Sequence, residues 1–130
     1  MIKPNRLASK NYLSSLDMSA EEVNHIIDLA KNFKNKSLNI TSQGKVLGLI
    51  FDKSSTRTRV SFQVAMTRLG GTTIDLNPST SQIGRGEPIK DTARVLSRYC
   101  DVLAIRTYNQ SDLEEYALWS TKPVINAQTK

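Results

Sequence analysis

Hydroxyls and guanidiniums crowd into one short stretch of this chain, Ser55-Thr56-Arg57-Thr58-Arg59, with Asp52, Lys53 and Ser54 just ahead of it. A hydroxyl donates one hydrogen bond, and a guanidinium presents a planar fork that meets two oxygens of an oxyanion at once. Such a set suits a doubly charged anion such as a phosphate. An apolar run, Val46 to Phe51, precedes the block, and Val60, Val64, Ala65 and Leu69 follow at helical spacing before Gly70-Gly71. The run is short and bounded by polar residues, which predicts a buried strand. The block therefore falls on a strand-to-helix turn, at the start of a helix. There the leading N–H groups lack intrahelical acceptors and carry the positive end of the macrodipole, so they attract anions. The plainer alternative is an ordinary helix cap with two solvated arginines, and the residues alone leave both open.

The rest of the chain has to hold that turn in place. Residues 1–18 show little periodicity, and Tyr12, Leu13, Leu16 and Met18 read as a lead-in segment packed on the neighbouring elements. Ser19 and Glu22 have the spacing of a capping box, and Val23, Ile26, Ile27 and Ala30 continue at helical spacing, which predicts an amphipathic helix from residue 20 to about 33. His25, the single histidine, has no partner residues in sight and reads as a surface or boundary residue. Thr72–Leu76 alternates as a second strand, and 77–87 is a loop rich in serine and glycine. Pro88 is placed as the first helical residue, with Ile89, Ala93, Leu96 and Cys100 on one helix face. Asp101–Arg106 reads as a third strand, Ser111 and Glu114 as a second capping box opening a short helix, and Pro123–Asn126 as a fourth strand.

This alternation predicts an α/β fold: a Rossmann-like parallel sheet of four strands or more, helices on both faces, preceded by an N-terminal helix. In open sheets of this kind ligands sit outside the carboxyl ends of the strands. Three polar groups fall there: Ser55–Thr58 after the first strand, Ser79–Glu87 after the second, and Arg106 at the end of the third. Their convergence is a consequence of topology.

Composition sets the outer bounds. A chain of 130 residues with 38% hydrophobic and 23% charged residues suits one globular domain with a real core. No apolar run approaches the ~20 residues of a membrane span, and the N-terminus shows no signal-peptide core. One cysteine, Cys100, allows no internal disulfide and suits a reducing compartment; it reads as a small core residue. The net charge of +6 is scattered, without a basic stripe interleaved with aromatics, so nucleic acid is not the expected partner. No Gly-x-Gly-x-x-Gly follows a predicted strand, which argues against a dinucleotide site.

The motif Ser55-Thr56-Arg57-Thr58-Arg59 resembles the carbamoyl-phosphate signature of the aspartate/ornithine carbamoyltransferase family, and both flanks, Phe51-Asp52-Lys53-Ser54 and Val60-Ser61-Phe62 with Leu69-Gly70-Gly71, are similar too. The loop Ser81-Gln82-Ile83-Gly84 with Asp91-Thr92-Ala93-Arg94-Val95-Leu96 is similar to the ornithine branch of that family. The resemblance covers nearly the whole chain. It implies that residues 1–130 are a carbamoyl-phosphate-binding domain whose ornithine-binding partner domain is absent, and that the end drifts from the family pattern at Gln128 and Lys130. It implies carbamoyl transfer to the δ-amine of ornithine, in arginine biosynthesis, by a cytoplasmic enzyme without cofactor or metal. Ser55, Thr56, Arg57, Thr58, Gln82 and Arg106 would bind carbamoyl phosphate, with Arg57, Thr58 and Arg106 catalytic. Gln82 would reach into a neighbouring subunit of a homotrimer or a multiple of trimers. Arg59 would serve in structural pairing, and Asp91 and Arg94 as scaffold. Aspartate, putrescine or an acylated ornithine as acceptor, or a non-catalytic phosphate-binding fragment, stay open as alternatives. On either reading the isolated chain is expected to turn over little or not at all.

Overall fold

The apolar run Val46–Phe51 (β1) lies inside a four-stranded sheet in the computed structural model, which describes residues 7–36, 40–52, 55–76 and 88–127. Five of its six residues are buried, as a strand covered on both faces must be. The other strands are Thr72–Leu76 (β2), Val102–Arg106 (β3) and Val124–Asn126 (β4), and every pairing is parallel. Their order is β2-β1-β3-β4. The chain thus leaves β1 in one direction to form β2, then crosses back over it to form β3 and β4. The reversal falls between β1 and β3, so the carboxyl ends of those two strands flank the crevice where sheets of this type bind ligands.

Register sorts the side chains onto two faces. Leu47, Leu49 and Phe51 share one face with Val102, Ala104 and Arg106 of β3, their direct partners. Thr73 and Asp75 of β2 lie on that face too. It is covered by the helix Thr56–Arg68 (α2) through Phe62 and Met66. The opposite face carries Ile50, Leu103, Ile105 and Val124 and packs against the helices Ile89–Tyr99 (α3) and Gln110–Trp119 (α4). On this side Gly48 lets α3 come close. A Cβ at Gly48 would sit 2.9 Å from the Cys100 sulfur and 2.9 Å from Leu103 Cδ2. Cys100 is buried there, and burial first, then the charge of Asp101, pushes its thiol pKa up.

The N-terminal helix Ala20–Lys34 (α1) begins on the expected capping box. The Ser19 hydroxyl accepts from the Glu22 N–H at 3.1 Å, and the Glu22 carboxylate accepts from the Ser19 N–H at 2.9 Å and from the Ala8 N–H at 2.8 Å. The Ser19 N–H, then the Ala8 N–H, hold the Glu22 pKa below the usual value. The apolar side chains Val23, Ile26 and Ile27 stay partly exposed along a groove of about 1070 Å³ that also touches Val102 and Ile125. Ahead of α1, Tyr12 borders β4: its N–H donates to Val124 O and its carbonyl accepts from the Asn126 N–H.

Four expectations are corrected. Leu16 does not pack in the lead-in segment. It sits 92% exposed in a 3₁₀ turn over Ser15–Asp17, because the Asp17 carboxylate takes the Leu13 and Ser14 N–H groups and turns the chain outward. The packed face of α2 is not the Val60–Val64–Ala65 stripe, which is exposed, but Phe62 and Met66, whose larger side chains remove more apolar surface from water when they meet the sheet. Ser111 and Glu114 form no capping box. Asn109 is the N-cap, its Oδ1 accepting from the Asp112 N–H at 2.9 Å and from the Ser111 hydroxyl at 2.7 Å, so α4 starts at Gln110. Pro88 is the N-cap of α3 rather than its first residue, with extended ψ of 141°.

Candidate functional site

Ser55 follows β1 as the N-cap of α2, in extended conformation, with Thr56, Arg57 and Thr58 as the first helical turn. The Arg59 N–H makes the first intrahelical bond, to Ser55 O at 3.1 Å, which leaves the N–H groups of Thr56, Arg57 and Thr58 without an acceptor in the helix. Among the described residues no side chain caps them, and the first turn contains no acid. Helices α1 and α4 have side-chain caps, from Ser19 and Asn109; α3, like α2, has none. The hydroxyl of Ser55 and the N–H groups behind it are therefore available to an external anion. Thr56 and Arg57 are exposed, and Ser55 and Thr58 half-buried.

Arg106 approaches from the adjacent strand. It pairs with Phe51, the last residue of β1, and lies on the face that α2 covers. Its main-chain oxygen accepts from the Asp52 N–H at 2.9 Å, which extends the β1–β3 ladder up to the turn. Its Nε is buried and has no hydrogen-bond partner among the described residues. Behind it Thr107 is fully buried, and its hydroxyl donates to Asn109 O at 2.8 Å, fixing the turn into α4. A buried guanidinium nitrogen without a partner is an unmet demand for an acceptor. Ser55, Thr56, Arg57, Thr58 and Arg106 are thus brought to the same side of the crevice. Gln82 lies outside the described residues.

Asp52, in the sequence only a flank of the motif, stands at the edge of this site. It ends the β1 ladder, and burial first, then the charge of Asp112, pushes its carboxyl pKa above the ordinary 3.8. Its position at the carboxyl end of the first strand is the signal the sequence carries for it. Arg59, expected to pair structurally, does so: its Nε lies 3.4 Å from Asp75 Oδ2. Among the described residues no group of three or more His, Cys, Asp or Glu could hold a metal ion, and no helix is long and apolar enough to cross a membrane.

A parallel sheet of reversing strand order, with an uncapped, cationic helix start beside a strand-end arginine, defines a doubly wound α/β domain with a cationic carboxyl edge. Comparison with known proteins narrows the class. Residues 10–130 match the aspartate/ornithine carbamoyltransferase family, carbamoyl-P binding domain. The chain is 81% identical over 129 residues to an ornithine carbamoyltransferase of Prochlorococcus marinus subsp. pastoris, covering 99% of this chain and 42% of that protein. The crystal structure of ornithine carbamoyltransferase from Gloeobacter violaceus superposes with a TM-score of 0.83 at 49% identity, over 93% of this chain and 39% of that one. Aspartate transcarbamoylase from Trypanosoma cruzi, in complex with carbamoyl aspartate and phosphate, gives a TM-score of 0.85 at 32% identity, over 95% of this chain and 39% of that one. The chain belongs to the aspartate/ornithine carbamoyltransferase family, and it spans about two fifths of the length of these relatives.

Proposed function

We propose that this chain is the carbamoyl-phosphate-binding domain of an ornithine carbamoyltransferase. The carrying observation is the uncapped first turn of α2 with Arg57 and Thr58, set beside Arg106 at the point where the strand order reverses. The ornithine acceptor is supported by the names of the relatives at 81% and 49% identity. In this reading the δ-amine nitrogen, deprotonated, attacks the carbonyl carbon. The carbon–oxygen bond to phosphate then breaks, a proton passes from the attacking nitrogen to the departing phosphate, and citrulline and hydrogen phosphate leave. The work of this half-site is positioning and fixed positive charge. Arg57, Ser55, Thr56 and the leading N–H groups of α2 hold the phosphate. Thr58 and Arg106 polarise the carbonyl and stabilise the charge that grows on its oxygen. Gln82 completes the site of a neighbouring subunit in a trimer, and the residues that grip ornithine lie in the part of the relatives this chain does not span. A cytoplasmic role in arginine biosynthesis belongs to the same proposal.

Calorimetric titration of the chain with phosphonoacetamide, a hydrolysis-resistant stand-in for carbamoyl phosphate, tests the reading. Saturable binding is expected, weakened by Arg57→Ala about 10- to 100-fold, the size of a lost hydrogen bond between charged groups. Equal affinity of the wild-type and Arg57→Ala chains would refute the assignment.

A further inference from the structure

We propose that the Arg59–Asp75 ion pair is a positioning joint that holds the first turn of α2, the phosphate-binding arm of the carbamoyl-phosphate site, against β2. The joint presupposes the carbamoyl-phosphate reading of that site. Its two residues act through others rather than on the ligand.

Helix α2 is held lightly for an element that would bind a ligand. None of its residues is buried. Phe62 and Met66 pack on the sheet from its second and third turns. Its C-terminal end is pinned where Leu69 O accepts from the Ser42 N–H at 2.6 Å and from the Thr41 hydroxyl at 3.2 Å. Among the described residues the first turn has neither kind of anchor. What reaches it is Arg59, whose Nε lies 3.4 Å from Asp75 Oδ2. Among the described residues this is the one ion pair between α2 and the sheet.

Its two ends are placed where a joint would be. Arg59 follows Thr58 directly, so its side chain fixes how far the first turn can rotate or lift. Asp75 pairs with Leu49 in the register and so lies on the face that α2 covers. It is the next-to-last residue of β2. One contact thus ties the phosphate-binding turn to β2. Both side chains are about one-third exposed, at 39% and 34%. An ion pair that open adds little to global stability. Its loss therefore frees the first turn without unfolding the sheet. A displaced turn misdirects the Arg57 fork and the N–H groups together, and small misplacements of binding groups cost far more than the contact that prevented them.

The test compares wild type, Arg59→Ala, Asp75→Ala and the double variant of this chain. Amide hydrogen exchange is followed across α2, phosphonoacetamide affinity by calorimetry, and stability by urea unfolding. Each single variant is expected to speed exchange of the Arg59 and Val60 amides several-fold, with β1 and β3 unchanged, and to weaken phosphonoacetamide about tenfold. The urea midpoint moves by less than about 0.5 M. The double variant is no worse than either single one, because each residue acts only through the other. Unchanged exchange in the first turn refutes the joint whatever the ligand does, and so do additive losses of affinity. A wild-type chain that ignores phosphonoacetamide refutes the carbamoyl-phosphate reading instead, and exchange alone then decides whether the pair clamps the turn.

Discussion

Replacing Gly48 by alanine should damage the fold at the strand that carries the site, and the cost can be worked from two distances. The new Cβ would lie 2.9 Å from Cys100 Sγ and 2.9 Å from Leu103 Cδ2, where non-bonded carbons prefer roughly 3.5–4.0 Å. Both neighbours are enclosed by the core: Cys100 is 2% exposed and Leu103 0%. Each has to move by more than about half an ångström, and overpacking of that kind costs about 1–3 kcal/mol. For a domain of this size that lowers the melting temperature by roughly 3–12 °C. Removing the sulfur relieves half of the clash. In a Cys100→Ala background the same Gly48→Ala change should therefore cost less, with a coupling of about 0.5–2 kcal/mol in the double-mutant cycle. Urea unfolding followed by circular dichroism reads all four chains, with the m-value checked for constancy. A Gly48→Ala chain within about 0.5 kcal/mol of wild type, or strict additivity with Cys100→Ala, would refute the reasoning, because it would mean that α3 can lift off β1 without loss.

Two further outcomes bear on the ends of the strands. Asn109→Ala removes the cap of α4 and should cost about 0.5–2 kcal/mol in urea unfolding, while Ser111→Ala, the residue a capping box would have needed, should cost clearly less. Asp52 supplies a pH dependence. Its carboxyl holds its proton in the folded chain to a higher pH than in the unfolded one, so its contribution is most favourable below the ordinary 3.8 and declines as pH rises through the raised folded value. Asp52→Asn should flatten that acid-side decline in a series of urea midpoints against pH; parallel curves for the two chains would contradict the assigned environment.

Where patterning is strong, the elements lay open in the sequence. The continuous apolar run of β1, the box at Ser19 and Glu22, and the β-α alternation depend on local chemistry, and each stands where the pattern put it. What escaped depends on competition between neighbours. Asn109 takes the Asp112 N–H before Ser111 can cap, and Phe62 and Met66 outweigh Val60 and Val64 for contact with the sheet. Both choices are decided by geometry that spacing alone does not encode. The site divides the same way. Ser55 to Thr58 and Arg106 could be placed at the carboxyl edge from topology. The raised pKa of Asp52 could not, because its second cause is the charge of Asp112, sixty positions further along the chain.

Strand order explains why so few residues suffice. Any parallel β-α-β unit presents a helix N-terminus at its carboxyl edge, but neighbouring crossovers on one face crowd that edge with the next helix. Here α2 covers one face and α3 the other, and Asp52, just past β1, is hydrogen-bonded to Arg106 at the end of β3 with no strand between them. In the proposed reading an anion meets the α2 N–H groups and Arg106 together at that edge. A cation on one strand end alone would be a solvated surface charge. Placed beside an uncapped helix start, with a buried Nε that has no partner among the described residues, Arg106 has part of its desolvation cost met before a ligand arrives. The favourable contact is then realised on binding, which is the arrangement a charge-stabilising site requires.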